Sequence, residues 1–207
     1  MPVVPSAGDP PPAAALDEAL FALHAGHPIV IPTDTVYGLA ALVGEPGATD
    51  RIFAAKARSR DVALAVLVAD VEQALAMSTA ITDCASVLMT RFWPGALTLV
   101  VPRDPDLQAD LGDDEMTVGL RCPDHPVPLA LCRRVGPLAT TSANKHGEPT
   151  PETAVGVADV FGEAVPVVLD GGRCAGSPST VVDCTGVEPK LLREGRVPWD
   201  DVLAALQ

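Results

Sequence analysis

Aromatic side chains are scarce in this chain: four Phe, two Trp and one Tyr among 207 residues. That scarcity excludes a stacking platform for single-stranded nucleic acid, which needs successive rings. With 48% of the chain hydrophobic, the core must instead be built from Ala, Val and Leu. Basic residues are also few, 14 Lys and Arg against 27 Asp and Glu, a net charge of −13. Such a balance opposes a protein that coats nucleic acid or lies on an anionic membrane, since both need a basic face. No apolar run reaches membrane-spanning length, and no basic-plus-apolar leader opens the chain, so a cytoplasmic protein with no membrane partner is expected. The five cysteines (84, 122, 132, 174 and 184) are odd in number and form no CxxC pair. Buried free thiols are therefore expected, not a disulfide framework or a zinc site. Walker-type phosphate loops, GxGxxG and HExxH are all missing, and the four histidines are dispersed.

The length suits one domain, large enough to bury roughly 70% of its unfolded surface without a staple. Residues 1–12 hold five prolines and read as a disordered leader; 13–207 read as the domain. Leu16, Leu20 and Leu23 fall at helical spacing in 13–25, and Pro28-Ile-Val-Ile31 reads as a short buried strand. Helical patterns follow at 49–58, 70–76, 81–92, 126–134 and 152–161, the last opened by Pro151, with a short helix after Pro198. Strand patterns fall at 63–69, 97–101, 117–121, 138–141, 167–169, 180–184 and 190–193. Helices and strands alternate loosely, and the second half carries consecutive strands. This predicts an α/β fold with a twisted mixed sheet flanked by helices, and no second domain.

The polar residues worth weighing are Thr35, Lys56, Arg58, Thr117, Arg121, Ser142, Asn144, Ser179 and Arg193. Each has an ordinary explanation. Lys56 and Arg58 end a helix, where cations complement the dipole. Ser142 and Asn144 could cap backbone groups in a loop, and Ser142 lacks the flanking glycines of a nucleophile elbow. His125, between Asp124 and Pro126, reads as a helix-entry residue rather than a general base. Yet most of these residues lie at strand ends, where open α/β sheets bind ligands. Hydroxyls, amides and fixed positive charges suit an anionic, hydroxylated ligand such as a nucleoside triphosphate.

Taken in order, the motifs resemble the YrdC-like family, and within it the bacterial threonylcarbamoyl-AMP synthases, from about residue 15 to 196. They are PTDTVYGLA at 32–40, KAR at 56–58, FWPGALTLV at 92–100, VGLRCPDHPV at 118–127, TSAN at 141–144, LDGG at 169–172, STVVD at 179–183 and LLREG at 191–195. The resemblance implies a YrdC-like fold around a concave, positively charged cleft. It also implies that ATP, L-threonine and bicarbonate become threonylcarbamoyl-adenylate and pyrophosphate, for the modified adenosine at position 37 of certain tRNAs. Lys56 and Arg58 would be catalytic, and would bind ATP together with Thr117, Asn144 and Arg193. Thr35, Arg121, Ser142 and Ser179 would hold threonine. Mg²⁺ would accompany ATP, and the product would pass to the tRNA threonylcarbamoyl-transferase complex. Val62 and Leu67 stand where the family often has Asn and His, with Arg60 placed to compensate for the lost amide. The chain ends at Gln207, so the C-terminal domain of longer synthases is not expected. Two alternatives share the fold: a paralogue of undefined activity, and a double-stranded-RNA-binding module. Weak RNA binding through Lys56, Arg58, Arg60, Arg121, Arg133 and Arg134 is the minor option.

Overall fold

Val30 of the short Ile29–Ile31 strand packs into one apolar cluster while Ile29 and Ile31 pack into another, so this strand is covered on both faces. A computed structural model describes residues 2–57, 59–112, 115–145 and 147–207. Among them, ten strands form one mixed sheet. They are β1 (Val3–Pro5), β2 (Ile29–Ile31), β3 (Gly38–Leu42), β4 (Ala65–Leu67), β5 (Leu97–Pro102), β6 (Thr117–Arg121), β7 (Leu138–Ser142), β8 (Val168–Asp170), β9 (Thr180–Asp183) and β10 (Lys190–Arg193). The spatial order is β1-β8-β2-β3-β7-β4-β6-β5-β9-β10. Pairings β1–β8, β8–β2, β4–β6 and β5–β9 are parallel and the rest antiparallel. The helices are α1 (Ala13–His24), α2 (Ala48–Lys56), α3 (Val71–Leu75), α4 (Asp83–Phe92), α5 (Pro126–Val135), α6 (Ala154–Phe161) and α7 (Trp199–Ala204). The predicted mixed α/β sheet is what forms.

One face of the sheet is sealed by α2, α4 and α6, through Ile52, Phe53, Leu88, Val157 and Phe161 against Leu39, Val66, Leu99 and Leu120. On the opposite face α1 and α5 cover only part, packing Leu16, Leu23 and Leu131 on Ile31, Leu42 and Leu138. The rest of that face is open. Side chains alternate across a strand, so the open part receives Gly38 of β3, Ala65 of β4, Thr98 and Val100 of β5, and Thr117, Gly119 and Arg121 of β6. Glycine and alanine at its centre leave the floor low.

Local chemistry sets the helix starts. Asp70, Thr82 and Thr153 each accept a backbone N–H three residues on, and His125 Nδ1 accepts the Val127 N–H at 3.2 Å. His125 is thus the helix-entry residue expected. Thr153 starts α6 two residues later than Pro151 suggested, because a capping hydroxyl fixes the first turn more firmly than proline's φ alone. All five cysteines are free thiols, four of them buried, as expected. The leader departs from the disorder expected for 1–12: Val3–Pro5 pairs in parallel with Val168–Asp170. Two valines there supply β propensity, and edge positions tolerate proline. No described helix is long and apolar enough to cross a membrane.

Candidate active site

The open sheet face and the loops around it enclose a cleft of about 710 Å³. Thr35, Thr117, Arg121, Ser142, Asn144, Ser179 and Arg193 all line it. Seven of the nine residues singled out from sequence are therefore brought together, from five separate segments.

Arg121 ends β6 and is held from three directions. Its Nε donates to the Gly95 carbonyl at 3.0 Å, one Nη to Thr35 Oγ1 at 2.9 Å and the other to Asp34 Oδ1 at 2.5 Å. Burial pulls this guanidinium below its ordinary value; Asp34 opposes the shift, while the charges of Arg193 and Arg196 add to it. Thr35 Oγ1 also lies 3.0 Å from Thr33 Oγ1, which donates to the Val36 carbonyl. The loop between β2 and β3 is thereby tied to itself and to β6.

Ser179 stands just before β9. Its hydroxyl lies 2.9 Å from Thr98 Oγ1, and Arg193 donates to its carbonyl at 2.9 and 3.2 Å. Burial lowers Arg193 as well. Gly195 makes this packing possible: a Cβ there would sit 2.2 Å from the Pro178 carbonyl oxygen. Gly176 is similarly pressed on the Thr35 carbonyl, which accepts its N–H at 2.9 Å.

The third group follows β7. Ser142 Oγ donates to Asn144 Oδ1 at 2.6 Å, and Asn144 Nδ2 donates to the Glu148 carbonyl. Lys56 does not line the cleft as expected of a phosphate ligand. It is 2% exposed, and its ammonium donates to the Ser142 carbonyl at 2.5 Å, the Asn144 carbonyl at 2.7 Å and Asn144 Oδ1 at 3.0 Å. Lys145 returns the contact, donating to the Ala55 carbonyl at 2.7 Å near the end of α2. Loop and helix end are thus bolted together, and Lys56 positions the loop. Arg58 lies outside the described residues. Arg60 does not replace a cleft amide: it pairs with Asp50 and Asp110 at the surface and covers the Phe53 ring. Val62 lines the cleft, and Leu67 is buried against it.

Sequence reasoning missed Thr98, Cys174 and Arg196, and it put Thr33 and Asp34 in the strand-end loop beside Thr35 without giving either a role. Asp34 and Thr98 lie inside quoted motifs, and Thr98 could have been found from alternation, since Leu97, Leu99 and Val101 fill the core. Arg196 and Cys174 reach the site through loops that no local pattern predicts. Among the described cleft residues no Ser or Cys is paired with a histidine. What the geometry offers is two guanidiniums, many hydroxyls and an apolar floor: a place to position and neutralise an anion.

The family model described as "Telomere recombination", covering Sua5, YciO and YrdC proteins, matches residues 21–195. A relative from Mycobacterium tuberculosis (strain H37Rv) is 43% identical over 191 residues, covering 91% of this chain and 87% of its own. Threonylcarbamoyl-AMP synthase of Bacillus subtilis (strain 168) is 38% identical over 192 residues, 91% of this chain but 56% of its own length. The structure of Pyrococcus abyssi Sua5 complexed with L-threonine aligns at a TM-score of 0.93 and 33% identity, covering 100% of this chain and 61% of that one. The chain thus spans less than two thirds of these two longer proteins. Escherichia coli YciO, 24% identical, shares the fold at a TM-score of 0.85 over 95% of each chain. With most of its length matched by the family model, and its cleft built from the family's motifs, the chain belongs to the Sua5/YciO/YrdC family.

Proposed function

We propose that this protein is an L-threonylcarbamoyladenylate synthase, a nucleotidyltransferase. In this reading the threonine amine and CO2 from bicarbonate form a carbamate. A carbamate oxygen then attacks the α-phosphorus of ATP, giving threonylcarbamoyl-AMP, pyrophosphate and, from bicarbonate, water. No covalent protein intermediate is needed, so catalysis rests on positioning and charge neutralisation. The observation that carries the proposal is the convergence of seven sequence-selected residues on one cleft. Similarity to proteins named threonylcarbamoyl-AMP synthase supports it.

Thr35, Arg121, Ser142 and Ser179 are proposed to hold threonine, with Arg121 on its carboxylate or the carbamate. Thr117, Asn144 and Arg193 are proposed to orient the nucleotide, Arg58 to meet phosphate, and Lys56 to act through the loop it grips. Mg²⁺ is proposed to enter on the triphosphate, whose oxygens supply its main ligands. Glu148 and Glu152 are carboxylates of the cleft lining that can approach it. The product would pass, in the cytoplasm, to the complex that modifies tRNA. Direct RNA binding has less support, because four of the six candidate basic residues are buried or paired with carboxylates: Lys56 and Arg121 are buried, Arg60 is paired with Asp50 and Asp110, and Arg134 with Asp17. The test is to incubate the protein with ATP, L-threonine and bicarbonate and seek threonylcarbamoyl-AMP by mass spectrometry. Pyrophosphate release that is independent of threonine would defeat the proposal.

A further inference from the structure

Asp34 sits in the loop between β2 and β3, beside Thr35, but it does not line the large cleft. It borders a second cavity of about 290 Å³, together with Phe92, Gly95, Asp124 and Arg196. From there its Oδ1 accepts from Arg121 at 2.5 Å, with the two side chains 12% and 8% exposed. The Asp34 carbonyl is in turn gripped by Arg196. Arg196 belongs to a segment fastened to β9, where Thr180 Oγ1 accepts the N–H groups of Gly195 at 2.9 Å and Val197 at 3.1 Å.

Two consequences follow for Arg121. A guanidinium carries five N–H donors, and three are committed to Gly95, Thr35 and Asp34, leaving at most two for a ligand. Its position is also electrostatically adverse, since it is buried and feels the like charges of Arg193 and Arg196. Among the described residues, Asp34 is the carboxylate paired with it. Without that carboxylate, a buried cation among cations relieves the strain by turning toward water.

We propose that Asp34 is a positioning residue: from behind the cleft its carboxylate fixes the Arg121 guanidinium so that the remaining N–H groups meet the anionic end of the amino-acid substrate. This rests on the synthase reading for the identity of the substrate, but not for the Asp34–Arg121 relation itself.

Asp34→Asn keeps the shape and one acceptor oxygen while removing the charge. The expected result is a rise of about ten- to hundredfold in the threonine KM, the scale of a misplaced binding group. The ATP KM should stay within about twofold, because Asp34 acts on Arg121, which is assigned to threonine and not to the nucleotide. In Asp34→Ala the vacated space adjoins the second cavity, so formate should enter and restore the charge. Sodium formate, against sodium chloride at equal ionic strength, should lower the threonine KM of Asp34→Ala by about fivefold or more and leave the wild type unchanged. A purely structural ion pair predicts none of this selectivity. Equal rises in both KM values, an unchanged threonine KM, or a folded Asp34→Ala protein insensitive to formate would each overturn the proposal. Nitrogen-15 NMR of the Arg121 Nε–H separates it from the function assigned above. The signal should be protected in the wild type, lost in Asp34→Asn and regained by Asp34→Ala in formate. If the wild type makes no threonylcarbamoyl-AMP yet this pattern holds, the synthase reading fails and the role of Asp34 stands. If the wild type is active and the signal is indifferent to Asp34→Asn, the role of Asp34 fails.

Discussion

Replacing Lys56 with Met separates two kinds of lysine. Met fills similar space but donates nothing, so the Asn144 carbonyl loses its donor, while the Ser142 carbonyl keeps the Asn144 N–H at 3.0 Å and Asn144 Oδ1 keeps the Ser142 hydroxyl. A buried acceptor left without a donor costs about 1–3 kcal/mol. The Asn144 carbonyl is the one such acceptor, so a loss of about 1–3 kcal/mol is expected. For a domain of this size each kcal/mol moves Tm by about 2–4 °C, so a fall of roughly 2–12 °C is expected in thermal unfolding followed by circular dichroism. Product formation below the new Tm should drop about a hundredfold, because Ser142 and Asn144 lose their fixed geometry. An ammonium reaching directly for phosphate would behave differently. Its loss would weaken ATP binding and leave Tm within about 1 °C, and that pattern would refute the loop-holding role.

Asn144→Ala should lower product formation, and a double-mutant cycle with Lys56→Met should be strongly non-additive, since both act on one loop; additive losses in activity would count against this. Gly195→Ala should cost about 1–3 kcal/mol and raise the threonine KM, because the new methyl must push Pro178 and Ser179 away; unchanged unfolding and kinetics would show that the segment yields freely. Ala57 closes α2 with φ +50°, so Ala57→Gly should stabilise the protein by about 0.5–1 kcal/mol in urea unfolding. Burial holds His125 below the ordinary imidazole value, and its Nδ1 must stay unprotonated to accept the Val127 N–H. Its contribution is therefore present above the unfolded-state value of about 6.5 and lost as pH falls through the folded-state value. His125→Asn should flatten unfolding stability across that acidic window, and an unchanged slope would exclude the linkage.

Several strands could be read from the sequence because their residues declare them. Leu97–Pro102 is a short run of Leu and Val, Thr117–Arg121 alternates, and Lys190–Arg193 is bounded by turn residues. Gly38–Leu42 could not be read in this way: Gly-Leu-Ala-Ala-Leu has no β-branched residue, and its five-residue pairing with β7 is decided by burial on both faces. The ligand-facing hydroxyls were accessible to sequence reasoning because strand ends are few and polar residues there stand out. Lys56 was misplaced for a long-range reason. Its nearest neighbours in sequence make it a helix-terminal cation, while its actual partners lie 86 and 88 positions away. The grip of Arg121 on Asp34 is equally non-local, and a motif string does not distinguish a side chain that faces the ligand from one that faces away.

The low floor of the cleft has a consequence for how the site can change. A Cβ at Gly119 would meet Thr98 at 3.4 Å, Val100 at 3.9 Å and Ala65 at 4.0 Å, contacts of ordinary packing distance. The added bulk would rise from a sheet whose other face is sealed by α2, α4 and α6, so it would occupy ligand space without disturbing that core. Capacity for a ligand and resistance to unfolding are therefore set by opposite sides of the same strand. Gly119, and Ala65 beside it in register, form a dial on which successive single substitutions could shrink what the cleft admits while the scaffold stays intact.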